Sequence, residues 1–221
     1  VMASGLGGWG RFNDLCKRHD GRAPTALRKQ GPQDGGKQGQ ITLSLGYRPP
    51  YPWEQMLAFL AGRTIAGVDS VTDGAYLRTV RLISPEGMAA YGWIQVRHNA
   101  SKNALNVTMS GSLLPVVPQV LARVRQLFDL RCDPHAVYET LQVMNTLRPG
   151  LCVLGTRMPG CFDAFEMAVR AVLGQQITVK AASTLATRMV QALGTPVETG
   201  IDGLTHVFPS AEDILALEGP I

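Results

Sequence analysis

The sequence lacks any apolar run of the ~18 residues that a membrane-spanning helix requires. It also lacks the charged start and the apolar stretch of a signal peptide, since its first residues are VMASGLGGWGRFND. Hydrophobic residues make up 45% of the 221 residues and charged residues 17%, which is the composition of an ordinary globular chain. We therefore expect a cytoplasmic protein with one or two compact domains.

Cysteines and the usual marks of cofactor sites are also scarce. None of the cysteines forms a C-x-x-C pair, and no histidine lies near them at metal-ligand spacing. No glycine-rich loop follows a strand as a nucleotide site would require, and no Ser/His/Asp order stands out. We expect reduced thiols, no metal and no cofactor. The four cysteines are Cys16, Cys132, Cys152 and Cys161.

Positive charge is concentrated at the start of the chain. Residues 1–30 carry six basic and two acidic side chains, and the formal charge of the whole chain is +4. The remaining residues are therefore neutral on balance. A basic segment ahead of a neutral body is typical of an arm or domain remnant that contacts nucleic acid, and equally of a solvated tail. Charge alone does not decide between the two.

Hydrophobic periodicity divides the rest of the chain into three parts. Residues 31–40, GPQDGGKQGQ, contain no large apolar side chain and predict a flexible linker. Residues 41–130 predict an α+β domain. Strands are expected at 41–45, 76–83, 92–98 and 104–110, and helices at 53–66 and 115–128. Residues 131–221 predict a helical domain with helix starts at Asp133, Asp163 or Phe162, Thr178 and Ser210.

Three segments of the body carry a resemblance to a known family. They are YRPPYPWEQMLAFLAGR (47–63), LFDLRCDPHAV (127–137) and RPGLCVLGTRMPGCFDAFEMAVRAVLGQQITVKAASTLATRMV (148–190). Over residues 41–217 the chain resembles the AlkA family of 3-methyladenine DNA glycosylases. The resemblance implies an α+β fold, in which an antiparallel sheet with helices on one face precedes an incomplete all-helical helix-hairpin-helix domain. It also implies a base excision repair enzyme, which flips alkylated purines out of double-stranded DNA and hydrolyses their N-glycosidic bond.

The first residues carry a second resemblance. The segment GLGGWGRFNDLCKRHDGRAPTALRK is similar to the end of an AraC-type helix-turn-helix domain. This implies that residues 1–30 are the C-terminal remnant of such a domain, in which Arg11, Lys17 and Arg18 contact DNA. Bacterial proteins that join an Ada-like regulator to an AlkA-like glycosylase have this order, so we expect a fusion of that kind.

The glycosylase resemblance assigns roles to three residues. It makes Gln176, with its neighbour Gln175, the wedge that fills the gap left by a flipped nucleotide. Glutamine departs there from the aliphatic residue that is frequent in the family, and the alternative is that both glutamines cap helix ends. The resemblance places Phe59 in a pocket for an electron-poor base. The alternative for Phe59 is a core position on an amphipathic helix.

The resemblance does not place a catalytic residue in this chain. The family's catalytic aspartate follows a hairpin with a G-x-G-type loop, and no such loop occurs after residue 178. Asp202 and Asp213 precede the expected position, and Asp163 is expected to cap a helix. We expect both ends to be truncated and the chain alone to be inactive. The alternative function is a non-catalytic DNA-binding transcriptional regulator of the AraC/Ada type.

Overall fold

The structure, a computed structural model, describes residues 39–216. The chain divides between Gly39 and Gln40, and the described residues other than Gly39 belong to the second unit. The predicted helix-turn-helix remnant with Arg11, Lys17 and Arg18 lies outside the described residues, as does most of the predicted linker. Those assignments stay predictions, and so does the division of the body near residue 130.

A five-stranded antiparallel sheet forms the first half of the described chain, as the sequence predicts. The strand order is β1-β5-β4-β3-β2, and every neighbouring pair is antiparallel. The strands are β1 (Gln40–Gly46), β2 (Asp69–Thr72), β3 (Ala75–Ile83), β4 (Ala89–Asn99) and β5 (Ala104–Ser110). The α-helices are α1 (Trp53–Ala61), α2 (Val117–Leu127), α3 (Pro134–Leu141), α4 (Ala164–Leu173), α5 (Val179–Leu193) and α6 (Ala211–Leu215). Single 3-10 segments occupy Ala100–Lys102, Gly111–Val116 and Gln142–Thr146.

Side-chain caps set the helix starts, as the sequence predicts. Asp133 accepts hydrogen bonds from two N–H groups in the first turn of α3, and Thr178 accepts one at the start of α5. Ser210 and Asp213 form a reciprocal capping box on α6. Each cap satisfies main-chain donors that lack partners inside the helix, so short polar residues fix the starts.

Two predicted helices are shorter than their apolar patterns suggest. The helix predicted for 53–66 ends at Ala61, because the chain turns after Gly62 and the Asp69 carboxylate accepts from the Ile65 N–H at 2.6 Å. A side-chain acceptor thus replaces the carbonyl that a further helical turn would supply. The apolar pattern also predicts that the helix starting at Asp133 runs to about Leu147, but the helix ends at Leu141 and continues as a 3-10 segment.

One face of the sheet carries α1 and α2. Tyr76, which is fully buried in β3, meets Phe128 edge-on with ring centroids 5.8 Å apart. Phe128 directly follows α2 and also stacks on Trp53 of α1 at 5.6 Å. Because side chains alternate along a strand, Arg78 and Val80 of β3 lie on the same face as Tyr76. The helices and the sheet therefore enclose the main core.

The other face of the sheet is partly covered by the chain between α5 and α6. Leu77 and Trp93 form a buried cluster there with Leu204. The N–H of Thr205 donates to the carbonyl of Gly67 at 2.8 Å, and Thr79 Oγ1 donates to the carbonyl of His206 at 2.8 Å. The sequence pattern gives no sign of this return, which ties the helical region back to the sheet.

The helical region does not enclose a core of its own within residues 39–216. Several of its large apolar side chains are more than half exposed, namely Val143, Leu147, Val153, Met158 and Val172. What α5 does bury lies against the sheet half, since Ala186 and Val190 pack with Ile65 and Val68. This is the incomplete helical domain that the sequence predicts.

Candidate nucleic-acid interface

The α4–α5 turn (residues 174–178) is an exposed connection between two capped helices. Helix α4 begins at Asp163, whose carboxylate accepts from the N–H of Glu166 at 3.0 Å, and ends at Gly174. Both Gln175 and Gln176 are exposed on the turn. A tight turn between helix ends presents its side chains outward on a stiff support, as a wedge requires.

Gln176 lies in the left-handed region with φ of 61°. Residues other than glycine, asparagine and aspartate seldom adopt this backbone conformation, which costs about 1–2 kcal/mol. The helix caps nearby are made by other groups, since Thr178 accepts from Ala181 and the Gly174 N–H donates to Arg170. Cap geometry therefore gives no support to the alternative that the glutamines serve as caps. Their role as a wedge stays a prediction.

The core of the motif at 159–166 docks α4 onto the sheet half. Arg123 on α2 donates to the Asp163 carboxylate at 2.5 Å and to the Phe162 carbonyl at 3.2 Å. The guanidinium of Arg78 lies 4.2 Å from the centre of the buried Phe162 ring. A Cβ on Gly160 would lie 2.4 Å from the carbonyl oxygen of Gln126, so only glycine allows this approach to α2.

Behind α4 lies a buried ionic network. Arg78 of β3 is 4% exposed and donates to Glu166 Oε2 at 2.7 Å. Arg170 donates to Glu166 Oε1 at 3.3 Å and, through its other Nη atom, to the carbonyl of Arg63. Sequence reasoning missed this network, because Arg78 and Arg63 lie far from α4 along the chain, and only the Glu166–Arg170 pair has the local i, i+4 spacing.

The network includes a second buried carboxylate. Asp69 accepts from the Tyr76 hydroxyl at 2.9 Å, and burial followed by the charge of Glu166 raises its pKa against the lowering effect of Arg78. Burial by itself would lower the pKa of Arg78, but Glu166, Tyr76 and Asp69 outweigh it and the pKa lies above its ordinary value. The guanidinium of Arg78 therefore stays charged where it donates to Glu166 of α4.

Phe59 lies on the outer face of α1. Its side chain is 39% exposed, and the guanidinium of Arg63 lies 3.7 Å from the ring centre. Arg63 also donates to the Phe59 carbonyl at 3.1 Å, and its own carbonyl accepts from Arg170. This exposure disfavours the core alternative for Phe59. Its pocket role stays a prediction, and in this structure the guanidinium of Arg63 lies over the ring.

A second buried arginine holds the junction between the two halves. Arg157 donates to the carbonyls of Asp129 at 3.2 Å, Cys132 at 3.1 Å and Pro50 at 3.2 Å, and also to that of Arg48. Sequence reasoning missed this residue as well, because an arginine between loops carries no local signal. The contacts fix the loop before α1 against the loop before α3.

A cleft of about 260 Å³ opens between β3, α4 and the start of α6. Arg78, Arg81, Arg123, Asp163 and Glu166 line it together with Phe162. Its charged groups are mainly paired with one another, so it offers no free polar set for a ligand. Within the described residues, no group of three or more His, Cys, Asp or Glu side chains is placed to hold a metal ion.

The carboxylates singled out from the sequence have structural partners or lie in the open. Asp163 caps α4, and Asp213 accepts from the Ser210 N–H at 2.8 Å in the capping box of α6. Asp202 is exposed on a turn.

In the part of the chain that the structure describes, no helix is long and apolar enough to cross a membrane.

The described residues have an α+β fold in which an antiparallel sheet with helices precedes a helical region. This fold is shared with the 3-methyladenine DNA-glycosylase from Archaeoglobus fulgidus, at a TM-score of 0.61 and 22% identity over 78% of this chain and 58% of that one. A family model described as the AlkA N-terminal domain matches residues 42–163. The chain therefore belongs to the AlkA family.

Two curated relatives extend the match. The chain is 37% identical to DNA-3-methyladenine glycosylase 2 of Escherichia coli over 151 residues, which are 68% of this chain and 50% of the relative. It is 34% identical to a probable bifunctional transcriptional activator/DNA repair enzyme AlkA of Mycobacterium tuberculosis, over 99% of this chain and 44% of the relative. The chain thus spans about half the length of these relatives.

Proposed function

We propose that this chain serves a DNA repair glycosylase of base excision repair, which flips alkylated purines of the 3-methyladenine type out of double-stranded DNA and hydrolyses the N-glycosidic bond. Membership of the AlkA family and the names of both curated relatives support this activity. The observation that carries the proposal is the α4–α5 turn, where Gln176 is exposed and left-handed. Strained backbone of this kind clusters at functional sites.

Gln176 is the residue that enters the duplex. A glutamine fills the volume left by an extruded nucleotide and can also hydrogen-bond the unpaired base opposite. Gln175 flanks it, and Phe59 offers its exposed face to an electron-poor base. Asp163 and Asp213 are engaged in helix caps, so neither is free to assist bond cleavage. Since no hairpin with a G-x-G-type loop ahead of an aspartate occurs after residue 178, we propose that the 221-residue chain alone is inactive in base release.

Affinity for two duplexes tests the wedge. A duplex with a reduced abasic site presents the gap already formed, so the chain binds it more tightly than the undamaged duplex. Removing the side chain that fills the gap is expected to cost about 1.4 kcal/mol, so Q176A lowers this preference about tenfold while affinity for undamaged DNA stays unchanged. The control is Q191A, which shortens an exposed glutamine on α5 away from the turn. An unchanged preference in Q176A would disprove the wedge.

A regulatory function is the second candidate. The Mycobacterium tuberculosis relative, named a bifunctional transcriptional activator/DNA repair enzyme, matches almost the whole chain, including the basic residues 1–30. This supports a fusion of an AraC/Ada-type domain to the glycosylase, with Arg11, Lys17 and Arg18 on DNA. Salt-dependent binding to one defined sequence, with no preference for abasic or alkylated DNA, would favour a purely regulatory role.

A further inference from the structure

One end of α4 leads to the exposed α4–α5 turn, while a buried carboxylate holds the body of the helix. The Glu166 side chain is 7% exposed, and each of its oxygens accepts from a different arginine. Arg78 comes from β3 and Arg170 from the last turn of α4 itself. The single carboxylate therefore links the sheet to the helix end that precedes the turn.

Arg170 makes a further contact outside α4. One Nη atom donates to Glu166 and the other to the carbonyl of Arg63, just beyond α1. The planar guanidinium serves two acceptors at once, which the single ammonium group of a lysine would not do with the same geometry. The carbonyl of Arg170 also accepts from the Gly174 N–H at 2.9 Å. The hydrogen bond at the start of the turn thus goes to Arg170, whose guanidinium is held by Glu166 and by the carbonyl of Arg63.

We propose that Glu166 and Arg170 are positioning residues for the wedge: they fix the last turn of α4, and with it Gln176, against β3 and the end of α1. The inference rests on the proposed function of Gln176. Desolvation offsets much of the attraction within a buried ion pair, so such pairs add little net stability but select one geometry. A functional side chain keeps its geometry only when the groups behind it are locked.

Hydrogen exchange tests this positioning without DNA. R170Q removes both contacts of the guanidinium but leaves the buried Arg78–Glu166 pair, so the fold is retained. In the 221-residue protein, we expect exchange at residues 170–175 to become about tenfold faster, with β3 to β5 unchanged. The control is R188Q, which removes one positive charge from the exposed side of α5. Equal exchange at 170–175 in R170Q and the wild type would overturn the inference.

Binding to the abasic and undamaged duplexes then links the network to the wedge. R170Q is expected to lower the preference for abasic DNA about five- to tenfold, and Q176A to lower it no further in that background. A global loss of charge would instead weaken binding to both duplexes, as R188Q reports. If Q176A lowers the preference but R170Q does not, the positioning fails while the wedge stands. If R170Q speeds exchange but Q176A has no effect on preference, the proposed wedge fails while the anchoring of the turn stands.

Discussion

Two buried arginines join the sheet half of this chain to its helical region through different chemistry. Arg157 is surrounded by main-chain carbonyls, three of them at 3.1–3.2 Å from its Nη atoms. Arg78 instead donates to the carboxylate of Glu166 at 2.7 Å. Carbonyls are fixed dipoles, whereas a carboxylate is a full charge that must itself be balanced.

The two kinds of acceptor serve different purposes: carbonyls fix the junction between loops at Arg157, and a carboxylate positions a helix at Arg78. The contacts of Arg157 need the right geometry and one positive charge, and they hold loops together. Those of Arg78 need a balance among several buried charges, and they hold the helix that leads to Gln176. A substitution that removes a charge but keeps the shape of the side chain should therefore destabilise the Arg78 network. A substitution that keeps the charge but changes the shape should destabilise the contacts of Arg157.

The largest effect is expected from E166Q, which preserves shape and removes the charge. Arg78 is then left buried without its ion-pair partner, and breaking such a pair costs about 3–5 kcal/mol of the free energy of unfolding. Urea denaturation followed by tryptophan fluorescence measures the loss. The control is E198Q, which alters an exposed glutamate and should change stability by less than about 0.5 kcal/mol. A loss below about 1 kcal/mol for E166Q would show that charge does not matter at this site.

A smaller loss is expected from R157M, which leaves several carbonyls without their donor. Each unsatisfied buried group costs about 1–3 kcal/mol, but these contacts are only partly buried, so we expect about 2–3 kcal/mol in total. R157K keeps the positive charge but lacks the planar guanidinium with its several N–H donors, so it should recover less than half of the lost stability. Full recovery in R157K would contradict the account, because it would assign the effect to charge rather than shape.

The next effect is expected at Asp163, where a helix cap meets an ion pair. D163A should cost about 1–2 kcal/mol in the free energy of unfolding. Burial of Asp163 raises its pKa, but the Glu166 N–H and Arg123 outweigh burial and hold the pKa below the ordinary 3.8. D163N keeps the cap acceptor and loses only the charge, so it isolates the ion pair.

The sign of the pH dependence follows from the lowered pKa of Asp163. The stability that its charge adds is complete above the unfolded value of 3.8 and disappears as the pH falls through the lower folded value. The difference in unfolding free energy between the wild type and D163N should therefore be constant near neutral pH and vanish in strong acid. A difference that grows with falling pH would contradict this ion pair.

The smallest effect on stability is expected at Gln176. Glycine adopts φ of about 60° freely, so Q176G should stabilise the fold by about 0.5–1 kcal/mol. Thermal unfolding followed by circular dichroism measures the change, with Q175G as the comparison at the neighbouring position, whose φ is not positive. Lower stability in Q176G than in the wild type would show that the glutamine side chain contributes to the fold.

Local signals in the sequence predicted the parts of the fold that depend on neighbours along the chain. Asp133, Thr178 and Ser210 cap helices as predicted. Strand β2 was not predicted, because its four residues DSVT are too few to show alternation. The helix start predicted at Asp163 is likewise confirmed, since its carboxylate caps α4.

Contacts between distant residues could not be predicted from the sequence. Arg78 and Glu166 are 88 positions apart, and nothing near either residue announces the other. The same holds for Arg157 and for the return of Leu204 to the sheet. Which glutamine is left-handed also depends on how α4 and α5 are held, so the conformation of the turn could not be predicted from the pattern.

The fluorescence of 2-aminopurine placed beside an alkylated purine in a duplex tests the central claim most directly, because this base brightens when the neighbouring purine is flipped out and its stacking partner is lost. If Gln176 enters the duplex, the wild-type chain raises the fluorescence on binding, Q191A raises it equally, and Q176A raises it far less at the same occupancy. An equal rise for Q176A and the wild type would contradict the account, because the α4–α5 turn would then not be the element that distorts DNA.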